Sequence, residues 1–329
     1  MTTEPPDDAS TPSTPSTPST PSTGWSGALA RVVALRERIV GSGRRSPAME
    51  RSVLAGAAVL FVGATVLAAR DLPHVHSHRH VVLLVLLGVV GVPASTLVNA
   101  AEYVAAGRAL GHRLGPLHAA RVSTVATAAN LLPIPGALVV RARALRGLGT
   151  NYKRSLSVLG SVGVIWLGTT GVLAGIVLLI DREHFGLGLA FIAGGVVACA
   201  GAYALLRIPL SDAEARHWFG RFVLIEIASV AVYAVRFVLV LRGLGFHAAW
   251  SETFTLTIAT SAASAVGILP GGLGLREVLA AALAPLVGLP AAVALFAVSV
   301  DRIIGLIALA LMSGILLLFK PRDPAMAEP

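Results

Sequence analysis

Long apolar runs dominate the pattern of hydrophobic and polar positions along this chain. Six of them are close to or longer than the roughly 20 residues that a helix needs to cross a bilayer. They lie at residues 52–69, 81–103, 155–180, 186–206, 219–241 and 290–318. Because polar or basic segments separate these runs, the pattern predicts an all-α polytopic membrane protein with six full transmembrane helices.

Two further apolar segments, at 118–148 and 253–287, are interrupted by helix-breaking residues. In the second, Pro270 is followed by three glycines within four residues, and a helix does not continue cheaply through such a sequence. Hydrocarbon offers no water to the freed backbone groups, so a break persists only where protein buries it or a wet cavity borders it. We interpret both segments as re-entrant broken-helix hairpins.

The two interrupted segments share a spacing. Four residues around the second break match four that lie 135 residues earlier: Pro270, Gly271, Leu273 and Arg276 correspond to Pro135, Gly136, Leu138 and Arg141. Although apolar sequence aligns easily by chance, breaks and spans that keep one spacing favour an internal repeat. Each half then has three spans, an odd number, so we expect two inverted repeats.

Basic residues indicate the orientation. If the N-terminus is cytoplasmic and both hairpins return to their own side, most of the 26 lysines and arginines fall on cytoplasmic loops and span ends. This asymmetry agrees with the positive-inside rule. We therefore expect a multi-pass protein of the inner (plasma) membrane with both termini in the cytoplasm.

Composition limits the partners and the chemistry. The chain has 329 residues, 55% of them hydrophobic, and a formal net charge of +9. Because the basic residues sit at span ends, we expect no nucleic-acid partner. The single cysteine, Cys199, excludes an internal disulfide or a cysteine-based metal site. The histidines at 74–80 have only Asp71 as a nearby carboxylate, so a polar loop is favoured over a zinc site, and we expect no metal and no cofactor.

The predicted domains follow from these segments. Residues 1–23 form a Thr/Pro/Ser-rich tail with little apolar surface to bury, which is typical of disorder. Residues 24–51 are a basic juxtamembrane segment, either a helix on anionic lipid or a solvated linker. The membrane repeats occupy 52–180 and 186–318, and a short cytoplasmic tail covers 319–329.

The two breaks are also the candidate ligand site. We expect helices to begin at Gly136 and Gly271, with unpartnered first amides and a partial positive charge. Arg141 and Arg276 follow, and a guanidinium beside a helix N-terminus suits a phosphate. The candidate lipid-headgroup residues are Pro270, Gly271, Gly272, Gly274, Arg276, Glu277, Pro135, Gly136, Arg141 and Arg302, with Glu102, Glu226 and Arg236 as possible charge partners. In the alternative interpretation, Arg276 and Glu277 only pair within the fold.

The sequence from Pro270 to Glu277, then Val287 to Leu289, then Arg302 and Gly305, resembles the lysylphosphatidylglycerol synthase transmembrane region family. Its members include the flippase domain of the bacterial multiple peptide resistance factor, and the resemblance covers about 52–318. It implies an inner-membrane protein that moves lipids, such as aminoacylated phosphatidylglycerol or polyprenyl-linked sugars, between leaflets. The membrane lipid, with an anionic headgroup, is then the expected partner.

The first half departs from the family pattern. Ala137 stands where an acidic residue is frequent, and residues 162–167 lack the charged pair that often follows. The first half is then expected to bind a different ligand or none. No soluble aminoacyltransferase domain is visible, so synthesis of lysylphosphatidylglycerol is not expected from this chain.

Three classes of function remain open from the sequence. The favoured one is a flippase-like translocator of a phospholipid or polyprenyl-linked lipid. The second is a non-transporting membrane anchor or partner of a glycosyltransferase or aminoacyltransferase. The third, a membrane-embedded enzyme, is least favoured because no paired carboxylates, nucleophile–base set or metal cluster is evident, and no catalytic residue is assigned.

Overall fold

The computed structural model describes residues 78–129, 136–180, 184–266 and 274–318. Over these residues the chain forms ten α-helices: α1 His78–Leu86, α2 Val92–Ala109, α3 Pro116–Ala129, α4 Gly136–Arg146, α5 Tyr152–Ile180, α6 Phe185–Leu206, α7 Asp212–Gly243, α8 Trp250–Val266, α9 Leu275–Leu283 and α10 Ala291–Leu318. A π-helical segment, Leu87–Gly91, joins α1 to α2, and a 3₁₀ turn, Ala284–Val287, follows α9. The predictions for 1–23, 24–51, 52–69 and 319–329 lie outside the described residues.

Five helical stretches are long and apolar enough to cross a membrane. They are His78–Ala109, Tyr152–Ile180, Phe185–Leu206, Asp212–Gly243 and Ala291–Leu316. Each overlaps one of the predicted runs, and the remaining run, at 52–69, is not described. The described residues contain no strand. The all-α, multi-pass class predicted from the sequence is therefore confirmed.

The two interrupted segments form pairs of shorter helices. Helix α3 packs against α4, and α8 packs against α9. Even the longest, α8, has 17 residues, which at 1.5 Å per residue is about 26 Å, less than the ~30 Å of hydrocarbon. The connections themselves, at 130–135 and 267–273, lie outside the described residues. Within the described residues, each interrupted segment thus supplies two helices that are each shorter than the hydrocarbon thickness.

Helices α2 and α7, whose last residues are 134 positions apart, end in the same way. Gly111 after α2 has φ +88°, and the amide of His112 bonds the carbonyl of Gly107 at 2.8 Å. After α7, Gly245 has φ +82°, and the amide of Phe246 bonds the carbonyl of Leu241 at 2.9 Å. Glycine reaches this left-handed conformation at no steric cost, which is why it ends helices in this motif.

Helix contacts repeat between the halves. Helices α2, α3, α4 and α5 of the first half correspond to α7, α8, α9 and α10 of the second. For each main contact among these eight helices, the corresponding pair of helices is also in contact. Thus α3 packs on α10 as α8 packs on α5, and α2 touches α3 as α7 touches α8. Helix α7 also contributes to both apolar clusters, through Phe222 in one and Phe237 in the other.

Helices α5 and α6 approach each other closely because small residues line their contact. A Cβ on Gly195 would lie 2.6 Å from the carbonyl oxygen of Gly168, and one on Gly175 would lie 2.5 Å from that of Gly188. Small residues let helix backbones pack in lipid, where no hydrophobic force drives association. This contact fixes α6 against the helix that borders the cavity described next.

Candidate functional site

A cavity of about 410 Å³ lies among the helices and receives side chains from both halves. Apolar residues and glycines make up much of its wall, but seven charged residues also border it. They are Glu102, Arg141, Glu226, Arg236, Arg276, Asp301 and Arg302. Charged groups inside a membrane are costly and usually functional, so their pairing decides what the cavity can bind.

Arg141 of α4 reaches across to α2. Its Nη1 forms an ion pair with Glu102, and its Nη2 donates to the carbonyl of Asn99 at 3.4 Å. Each side chain of the ion pair is 12% exposed. The Nε of Arg141 has no hydrogen-bond partner within the described part of the chain. Arg141 therefore keeps one donor unused at the cavity although its charge is balanced.

Arg236 joins three helices. It lies on α7 and donates two hydrogen bonds to Oδ1 of Asp301 on α10, from Nε at 3.1 Å and from Nη2 at 2.8 Å. Its Nη1 donates to the hydroxyl of Ser95 on α2 at 2.9 Å. A guanidinium that meets a carboxylate with a planar fork is held in one orientation. This group therefore acts mainly as a fixed junction of α2, α7 and α10.

Arg276 and Glu277 are adjacent on α9 but do not pair with each other. Glu277 accepts from Nη1 of Arg302 on α10 at 3.1 Å, whereas Arg276 donates from Nη2 to the hydroxyl of Ser264 at 2.8 Å. Neighbouring residues of a helix point in different directions, so the two side chains have separate partners inside the fold. No carboxylate in the described ranges lies within ion-pair distance of Arg276.

Glu226 lies deep on α7, with 1% of its surface exposed. Its Oε1 has no hydrogen-bond partner among the residues that the structure describes. Arg236 is ten residues further along the same helix and forms an ion pair with Asp301. Glu226 is thus a buried acid without an ion-pair partner in the described chain.

The second returning helix begins later than the sequence indicated. It starts at Leu275 rather than Gly271, because Gly274 has φ +79° and ψ −37°, outside the helical region. Arg276 and Glu277 therefore lie in its first turn. In the first half, α4 begins at Gly136, as expected. The candidate residues Pro135, Pro270, Gly271 and Gly272 lie outside the described residues.

Three residues of the site were absent from the candidates. Asp301 binds Arg236, Ser95 supports the same guanidinium, and Ser264 holds Arg276. A signal for Asp301 existed, since an acid inside an apolar span is rarely without function. No comparable signal marked Ser95 or Ser264, because hydroxyls in membrane helices commonly bond the preceding turn, as Ser264 also does with Thr260.

Comparison with known proteins gives one match. A family model described as "Lysylphosphatidylglycerol synthase TM region" matches residues 51–313. This range contains every described residue that lines the cavity. No curated protein and no solved structure matches the chain.

Proposed function

This chain belongs to the lysylphosphatidylglycerol synthase transmembrane region family, and we propose that it translocates a phospholipid or polyprenyl-linked lipid between the leaflets of the plasma membrane. The membrane setting follows from the family and from the five long apolar helices. The charges at the cavity support the proposed transported class.

The observation that carries the proposal is the state of Arg276. Its guanidinium borders the cavity and donates a hydrogen bond to the neutral hydroxyl of Ser264. The adjacent Glu277 forms an ion pair with Arg302 instead. A half-buried guanidinium without a carboxylate partner in the described chain is suited to an anion from outside the protein, and its planar fork fits phosphate oxygens. Every lipid of the proposed class carries a phosphate in its headgroup or linker.

The architecture supports transport rather than a passive scaffold. We propose that α3–α4 and α8–α9 are re-entrant hairpins, since neither arm of either pair is long enough to span hydrocarbon. We further propose that the halves are inverted repeats, which the reciprocal helix contacts support. Transporters built this way place their site between the repeats and open it alternately to the two sides. The termini are then cytoplasmic.

Reconstitution tests this function. Liposomes would contain the protein and an acyl-labelled fluorescent phosphatidylglycerol, phosphatidylethanolamine or polyprenyl phosphate, and an impermeant reductant would bleach the outer leaflet. We expect more than half of at least one labelled lipid to be bleached, compared with about half in protein-free vesicles.

Two variants make that assay specific. Arg276→Ala should abolish the extra bleaching. Arg143→Ala, which removes an exposed arginine from the last turn of α4 outside the cavity, is the matched control and should retain it. If none of the three lipids moves, translocation is contradicted and a non-transporting partner of a lipid- or glycan-modifying enzyme becomes the better account.

A further inference from the structure

Binding of an anionic headgroup at the cavity does not explain the presence of Glu226. This residue borders the cavity and is 1% exposed. Its Oε1 has no hydrogen-bond partner among the described residues. An acid that is buried, borders a cavity and has an unsatisfied carboxyl oxygen is well placed to bind a proton, since its ionised form lacks both water and a counter-charge.

The neighbours of Glu226 do not supply that counter-charge. The ionisable groups at the cavity are Glu102 of α2, Arg141 of α4, Tyr233 and Arg236 of α7, Arg276 of α9, and Asp301 and Arg302 of α10. Helices α1, α3, α5, α6 and α8 contribute none to its described lining. Glu102 and Arg141 interact electrostatically with Glu226. Because those two already form an ion pair, their charges largely cancel at Glu226.

We propose that Glu226 is a proton-binding site and that the proton is taken up together with the lipid headgroup. This inference rests on the proposed function for its coupling step. Among the described residues, four arginines border the cavity, and three of them are paired with Glu102, Asp301 and Glu277. With Glu226 neutral, four positive and three negative charges leave one positive charge, which one phosphodiester neutralises. With Glu226 ionised, the occupied cavity would carry an unbalanced negative charge.

The transported species then follow from charge balance. A proton from the water on the open side binds the Glu226 carboxylate, and the phosphodiester binds at Arg276; no covalent bond of the lipid changes. When the cavity opens to the other side, both leave. One proton and one monoanion cross together, so the cycle is electroneutral and responds to a pH gradient rather than to membrane voltage. By linkage, proton and lipid raise each other's affinity by the same factor.

The proton site is tested without any transport. Infrared difference spectra of the purified protein, titrated with pH, should show the carbonyl band of a protonated carboxylic acid near neutral pH. Glu226→Gln should remove that band. Glu214→Gln, an exposed position on the same helix whose capping box accepts glutamine, should keep it. If Glu226→Gln does not fold, Glu226→Asp should shift the band instead. The absence of a band that depends on residue 226 overturns the proton site.

Coupling is tested by binding and by flux. Affinity of the wild-type protein for short-chain phosphatidylglycerol should fall about 5- to 150-fold as the pH is raised through deprotonation of Glu226, and Glu226→Gln should remove this dependence. In vesicles, an imposed pH gradient should drive labelled phosphatidylglycerol in the wild type, whereas a potassium–valinomycin potential should not. Lipid movement that ignores the pH gradient overturns coupling. A band at residue 226 without any lipid movement leaves the proton site standing and contradicts the proposed function instead.

Discussion

Arg276 on α9 donates a 2.8 Å hydrogen bond to Oγ of Ser264 on α8. Helices α8 and α9 are therefore joined beside the cavity by a charged donor and a neutral acceptor. A hydroxyl orients a guanidinium without cancelling its charge, so the positive potential at this point remains available to a ligand. The next residue, Glu277, forms an ion pair with Arg302 on α10.

Arg276→Ala is expected to fold and to lose lipid-dependent thermal stabilisation, because a ligand site is removed without leaving a buried charge unpaired. Arg276→Lys should recover only part of the function, since lysine keeps the charge but not the planar fork. Melting with and without phosphatidylglycerol, together with flux, measures both effects. A strongly destabilised Arg276→Ala variant whose lipid response is unchanged would contradict the headgroup assignment.

Glu277→Gln should instead affect stability. It leaves the buried Arg302 guanidinium without its carboxylate, and removing one member of a buried pair costs about 3–5 kcal/mol. Melting temperature and protein yield provide the measurement, and Glu214→Gln on exposed α7 surface is the control. Equal melting temperatures for Glu277→Gln and wild type would show that Arg302 finds another partner.

The long helices of this fold were readable from the sequence for simple physical reasons. They follow from length and hydropathy, and the positions at which the two shorter helix pairs are interrupted follow from prolines and glycines, which do not continue a helix cheaply. The pairing of charges was not readable. Arg141 and Glu102 are 39 residues apart, and Arg236 and Asp301 are 65 apart, so only packing of the helices decides which carboxylate each arginine meets. The start of α9 depended on the conformation of Gly274, one of several adjacent glycines able to end the break.

Cysteine labelling tests the inverted arrangement. In a Cys199→Ser background, cysteines at the exposed positions Asn151 and Pro290 should label from opposite sides, since each precedes the long last helix of its half. Ala213→Cys should label from the same side as Asn151→Cys. Impermeant maleimide on intact cells and on inverted vesicles gives the readout. Labelling of positions 151 and 290 from one side would contradict inversion.

Two adjacent glycines on α6 provide a matched pair for helix packing. Gly195→Ala places a Cβ 2.6 Å from the carbonyl oxygen of Gly168, so α5 and α6 must separate, whereas Gly194→Ala meets nothing within 4 Å. Both changes raise helix propensity by about 1 kcal/mol. We therefore expect a lower melting temperature for Gly195→Ala and an equal or higher one for Gly194→Ala. The same response from both variants would argue against close contact at Gly195.

The ion pair of Arg236 and Asp301 permits a stricter test. Removing one partner of a buried ion pair can destabilise the fold strongly, whereas replacing both partners can leave its stability nearly unchanged. Asp301→Asn leaves the Arg236 guanidinium uncompensated and should cost about 3–5 kcal/mol, whereas replacing both residues by apolar ones of similar size is often neutral or stabilising. We expect Arg236→Met with Asp301→Leu to recover most of the melting temperature lost in either single variant.

If this double variant folds, it shows whether Arg236 and Asp301 have only a structural role or also contribute to lipid binding. Arg236 and Asp301 cancel each other's charge, so the single positive charge ascribed to Arg276 should persist, and lipid-dependent stabilisation should survive with the fold. If the double variant is stable but no longer responds to phosphatidylglycerol, the pair contacts the headgroup directly, and the assignment of Arg236 to a fixed junction of α2, α7 and α10 is wrong.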